Sequence, residues 1–162
     1  MSPGRRGNPW ERRAELGFGA GLLETIKLFI TSPSAAYEQT RERGDFLSPW
    51  LFGVLIGWFG AILGQIWQFI FQGSMMSMFP VDVRDQMAAF FVTTPIALLV
   101  SMILTPIFLT IALFLWSAIH HVSLLLVGAL GESEAGFEGT FRVNGYAHVV
   151  QLSSIVPLIG TF

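Results

Sequence analysis

Two long apolar runs organise the chain. Between Asp45 and Asp82 lie 36 residues without a formal charge, and between Asp85 and Glu132 lie another 46. About 18 consecutive apolar residues suffice to cross a bilayer, so both runs predict membrane helices. A first span is expected over residues 49–71, opened by Ser48-Pro49, with Trp50 and Trp67 as interfacial aromatics near its ends. Residues 72–81 read as a turn-rich loop, and Asp82 as the cap of the next helix. Residues 88–130 are long enough to cross a bilayer about twice, yet they contain no polar turn. Thr105-Pro106 is the one obvious break. Pro106 either kinks a single long helix or turns a hairpin of two short spans, and both readings stand. Residues 128–143 form a second polar stretch, expected as a loop. Residues 145–162, with Pro157 and Gly160, are expected as a final span. The chain stops on an apolar residue, so it is expected to be a piece of a slightly longer protein.

The first 44 residues differ in character. Residues 1–15 carry arginine pairs, Pro and Gly with no apolar period, and predict a flexible basic tail. Residues 16–44 predict two short amphipathic helices beside the membrane. In the first, Phe18, Leu22, Ile26 and Phe29 recur at spacings of three and four. The second starts at Ser32-Pro33 and is expected to end by Gly44. These helices either lie on the membrane surface, apolar residues toward the acyl chains, or pack on the membrane body. The spacing is compatible with both.

Charge adds an orientation. Seven of the nine Lys and Arg precede the first span, which predicts that the N-terminal head lies on the cytoplasmic side of the membrane. Arg12, Arg13, Lys27, Arg41 and Arg43 are the candidates for contact with anionic lipid, and nucleic acid is not expected as a partner. No apolar signal segment opens the chain. Cysteine is absent, which excludes disulfides and thiolate chemistry.

Two stripes mark the apolar body. Gly53, Gly57, Gly60 and Gly64 fall within about a 60° sector of one helix, as close helix packing requires. Gln65, Gln68 and Gln72 lie beside them, and Thr94, Ser101 and Thr105 share a face of the following segment. Structural hydrogen bonds between helices are the bland account of these polar residues; a solute path is the sharper one. His120, His121 and His148, with Glu132, Glu134 and Glu138 between them, lack metal-ligand spacing such as HExxH. No catalytic residue, metal site or cofactor is expected.

Several segments carry a resemblance. LETIKLFITSPSAAYEQTRERGDFLSPWLFGVLIG (residues 23–57), Thr105-Pro106 with LFLWSAIHHVSLLLVGALG, and GFEGTFRVNGYAHVVQLSSIVPLIG (residues 136–160) resemble the Yip (Ypt-interacting-protein) domain in its short prokaryotic form. The likeness covers about residues 22–162. It implies about five helical spans and a cytoplasmic N-terminus, which would need a turn at Pro106 and a further span beyond Phe162. Eukaryotic Yip proteins bind Rab-type GTPases; a head of 44 residues offers no clear surface for that.

The expectation is an all-α, polytopic helical membrane bundle with juxtamembrane amphipathic helices. It is not an enzyme, and it acts through helix packing and contacts with other membrane proteins or with itself. The rival class is a small transporter or channel component using the Gln65, Gln68, Gln72, Ser101 and Thr105 path. A membrane enzyme built on the three histidines is the third.

Overall fold

The computed structural model describes residues 6–85, 95–130 and 135–156. Expectations that fall on residues 86–94 (Thr94 among them), Glu132, Glu134, Pro157 and Gly160 lie outside these. All regular structure among the described residues is helical. A 3-10 turn, Pro9–Arg12, leads into α1 (Arg13–Leu16), α2 (Phe18–Thr31) and α3 (Pro33–Gln39). Then come α4 (Leu47–Ser77), α5 (Pro95–Leu126), α6 (Gly136–Ala147) and a closing 3-10 helix, His148–Ile155.

The described part of the expected N-terminal tail is folded instead. Asn8-Pro9-Trp10-Glu11 forms a capping box in which each of Asn8 and Glu11 accepts the other's backbone N–H at 3.1 Å. Trp10 is wholly buried. Its backbone N–H donates to Thr25 Oγ1 at 2.7 Å and its indole N–H to the Ser48 carbonyl at 2.8 Å. A tryptophan that buries its ring and satisfies its N–H anchors a segment strongly. The capping-box spacing was present in the sequence; the partners of Trp10 come from residues far along the chain.

Gly17, at φ +88°, separates α1 from α2 in a conformation that glycine tolerates. The amphipathic face of α2 turns toward the protein. Phe29 is buried against Phe52, Tyr37 and Tyr146, and Leu22 and Ile26 pack on the same cluster. Of the two readings for this helix, packing on the body describes Leu22, Ile26 and Phe29; Phe18 stays exposed, as do Leu23 and Ile30.

Helix α4 starts when the Asp45 carboxylate accepts from the Ser48 N–H and hydroxyl, so Asp45 rather than Ser48 supplies the capping oxygens. It continues past the expected end at residue 71, and residues 72–77 are helical rather than a loop. Pro106 lies inside α5. The described part of the segment is thus a single helix, without a hairpin turn at the proline. Both α4 and α5 are long and apolar enough to cross a membrane, but their burial differs. In the most apolar window of each, 44% of α4 is buried and only 6% of α5. Helix α4 is the central element, packed by α5, α6 and the closing 3-10 helix.

The polar stretch expected as a loop contains α6. Its sequence, GFEGTFRVNGYA, holds three glycines and is intrinsically a poor helix former. Tertiary packing stabilises it: Thr140, Phe141, Arg142, Gly145 and Tyr146 are all buried. The described part of the expected span 145–162 is therefore not one α-helix. It is divided between the end of α6 and a 3-10 helix lying along α4.

Candidate functional site

The glycine stripe on α4 receives neighbours of this same chain. A Cβ on Gly53 would stand 3.0 Å from the Gly145 carbonyl oxygen, and one on Gly145 only 2.6 Å from that of Pro49. Two backbones thus meet where neither helix has a side chain. At Gly57 a Cβ would come within 3.1 Å of His148 and 3.2 Å of Leu109; at Gly60, within 2.7 Å of the Gln151 carbonyl oxygen. Gly64 has nothing within 4 Å. Three of the four expected packing glycines therefore hold α6, the closing 3-10 helix and α5 against α4, and Gly64 does not.

The polar stripe divides as well. Ser101 donates its hydroxyl to Gln65 Oε1 at 2.9 Å, tying α5 to α4, while Thr105 donates to the Ser101 carbonyl at 2.6 Å within its own helix. Gln68 is exposed and Gln72 half-buried. Above them, Trp50 donates its indole N–H to Thr110 Oγ1 at 3.1 Å.

At the head end lies a buried ionic cluster that sequence inspection did not single out. The Arg142 side chain is 2% exposed and that of Glu11 1%, and the two form an ion pair. Arg142 also donates to Glu138 Oε1, from Nε at 3.0 Å and Nη2 at 2.9 Å, and to the Asp45 carbonyl at 2.7 Å. Glu11 in turn accepts from the Tyr146 hydroxyl at 3.2 Å and the Arg41 backbone N–H at 3.0 Å, besides Asn8. Burial raises the Tyr146 hydroxyl pKa far above its ordinary value, and the adjacent Glu11 charge adds to the rise. Tyr146 therefore remains a donor. Charges this deeply buried persist only when paired and hydrogen-bonded, and here the partners come from the first 3-10 turn and the residue before it, from the segment between α3 and α4, and from α6. The i,i+4 spacing of Glu138 and Arg142 was visible; the pairing with Glu11, 131 residues away, was not.

The five expected lipid-facing basic residues have different surroundings. Arg13 reaches inward, donating to the Trp10 carbonyl and Ser48 Oγ at 3.0 and 2.9 Å and lying 4.8 Å from the Trp10 ring centroid. Lys27 and Arg43 are exposed, while Arg12 and Arg41 are half-buried.

The histidines bind α6 rather than one another. His120 Nδ1 lies 3.0 Å from Asn144 Oδ1, His121 Nδ1 3.0 Å from Thr140 Oγ1, and His148 Nδ1 2.9 Å from the Asn144 carbonyl. Among the described residues no group of three or more His, Asp and Glu is placed to hold a metal ion. Beside them, a cleft of about 910 Å³ opens between residues 37–42, the C-terminal turns of α5 and the outer face of α6. Leu124, Val127 and Val143 form apolar parts of its wall; Arg41, His120 and Asn144 are polar.

No family model, curated protein or solved structure matches this chain.

Proposed function

We propose that this chain is a non-enzymatic integral membrane protein, with α4 and α5 crossing the bilayer and the head folded on its cytoplasmic side. The observation that carries the reading is the surface of α5. Ile96, Leu99, Ile103, Ile107, Phe108 and Ile111 are all exposed over a helix of 32 residues. So extended an apolar face is unfavourable in water and natural in lipid. A core helix of a soluble protein would bury that face, and α5 does not.

Its action, in this proposal, is through contacts with other membrane proteins or with a second copy, organising membrane rather than transforming a substrate. The likeness of residues 22–162 to Yip-type domains belongs to the same proposal. Its Gly145-Tyr146-Ala147 element sits at the close crossing with α4, where that spacing has a packing reason. A solute path draws less support, because Gln65 and Ser101 are occupied with each other.

Reporter fusions after Arg43, Met76 and Gly136 test the arrangement. Cytoplasmic signals at Arg43 and Gly136 with an external signal at Met76 are expected. An external signal at Arg43 would reverse the orientation, and release of the protein from membranes by alkaline carbonate would end the membrane reading.

A further inference from the structure

Helix α2 carries more apolar surface than the protein covers. At about 100° per residue, Leu28, Gly21, Thr25, Phe29, Leu22 and Ile26 share an arc of about 160°. That arc faces inward: Gly21, Thr25 and Phe29 are buried, and Leu22, Ile26 and Leu28 pack on the cluster that holds Phe52 and Ile56 of α4. The rest of the helix is divided. Leu23 and Ile30 lie about 20° apart on one flank and are 67% and 62% exposed. Thr31 and Glu24 lie on the other flank, Lys27 falls between the two, and all three are exposed. Spacing along the sequence pointed to Leu22, Ile26 and Phe29; the exposed apolar ridge is a different pair.

The depth of α2 decides which solvent meets that ridge. Helix α4 has 31 residues, about 46 Å at about 1.5 Å per residue, and when centred it overhangs a hydrocarbon layer of about 30 Å by about 8 Å at each end. The overhang is about five residues long, which brings the cytoplasmic boundary near Phe52. Trp50, an interfacial residue type, stands just before it. Phe29 of α2 packs against Phe52, with ring centroids 6.4 Å apart. Contact between α2 and α4 is confined to a short stretch, so α2 does not run down the span. A helix lying across a span at this level has lipid below one flank and water above the other. Its exposed side should be split lengthwise into apolar and polar halves, with a long basic side chain at the divide reaching up to the headgroups. Leu23 with Ile30, Thr31 with Glu24, and Lys27 between them match that order. A protein partner arriving from the cytoplasm would meet the polar flank first.

We propose that Leu23 and Ile30 insert into the cytoplasmic leaflet at the boundary between headgroups and acyl chains, so that α2 is an interfacial helix packed on protein with one face and on lipid with one flank. The proposal rests on the membrane reading of α4 and α5, and the experiment separates the two. The chain has no cysteine, so the single substitutions Leu23→Cys, Ile30→Cys, Glu24→Cys and Lys27→Cys, with Ile103→Cys on the exposed face of α5, each take one nitroxide label. Full-length protein is reconstituted in vesicles of phosphatidylethanolamine and phosphatidylglycerol. Power saturation then compares collisions with oxygen, which concentrates in lipid, and with a water-soluble nickel chelate.

The oxygen-to-nickel ratio is expected to be several-fold higher at positions 23 and 30 than at 24 and 27, and high at 103. Positions 23 and 30 reached freely by nickel, with 103 still high, would put the ridge in water and overturn the proposal while the membrane reading stands. Shielding of both positions from oxygen and nickel alike would mean that protein covers them, a second copy or another partner, and overturns it too. A low ratio at 103 overturns the membrane reading and the proposal together. The unsubstituted chain gives an independent reading that no label can perturb. A phospholipid carrying a diazirine near the start of its acyl chain is expected to insert at Leu23 and Ile30, as mapped by mass spectrometry; insertion into α5 with none in α2 would overturn the interfacial flank.

Discussion

Trp58 donates its indole N–H to the carbonyl of Met102 at 2.9 Å. Met102 is four residues before Pro106, and its carbonyl is the one that a proline at 106 deprives of its helical donor. The side chain of α4 thus supplies the hydrogen bond that α5 cannot make for itself. In a lipid environment this matters more than in water, because no solvent replaces the missing donor. It explains how α5 continues through a proline, and why α4 and α5 meet in a fixed register.

Replacing Trp58 with Phe should leave that carbonyl unsatisfied and lower stability by about 1–3 kcal/mol. Pro106→Ala restores the backbone N–H at position 106. In that background the cost of Trp58→Phe should shrink measurably, a coupling that thermal unfolding of the four proteins in detergent reads directly. Equal costs in both backgrounds would show that Trp58 acts by packing alone.

Breaking the buried ion pair should be more damaging. Arg142→Met leaves Glu11 charged and buried, and Glu11→Met does the same to Arg142; each should cost about 3–5 kcal/mol. The double variant should be less destabilised than the two single effects added together, since neither charge is stranded. Denaturation midpoints in a mild detergent measure all three.

The glycine stripe predicts opposite results at neighbouring positions. Gly60→Leu drives a side chain into the Gln151 backbone, whereas Gly64→Leu enters open space. Loss of folded yield and a lowered melting temperature are expected for the first only. A strong effect at Gly64 on folding of the isolated chain would contradict this packing.

Tyr146 should make stability fall in strong alkali. Its hydroxyl pKa is raised by burial, then by the Glu11 charge. The folded state therefore keeps a proton that the unfolded state releases near pH 10. Stability from this group is complete below about pH 10 and declines as the pH rises further. Tyr146→Phe should remove much of that alkaline slope, at a cost of about 1 kcal/mol at neutral pH for the lost hydrogen bond to Glu11.

Several features were legible along the sequence because their causes are local. Uninterrupted apolar composition locates α4 and α5, since a helix satisfies its own backbone and leaves only its surface to choose a solvent. The spacing of Gly53, Gly57 and Gly60 shows a face without Cβ atoms before any neighbour is known. Asn8-Pro9-Trp10-Glu11 carried a capping signal too, although arginine pairs around it suggested a loose tail.

The tertiary structure decided what depends on distant partners. A proline can end a helix or sit within one, and at Pro106 the described structure has it within, with a donor 44 residues from the orphaned carbonyl. The low intrinsic helicity of the glycine-rich α6 is offset only when Arg142 and Tyr146 reach Glu11 and when Gly145 meets Pro49. The inward turn of Phe29 follows from aromatic rings on α4 and α6, which amphipathic spacing alone cannot distinguish from acyl chains. Apolar pattern determines that a face must leave water. Whether protein or lipid receives it is set by which other parts of the chain are near enough to compete.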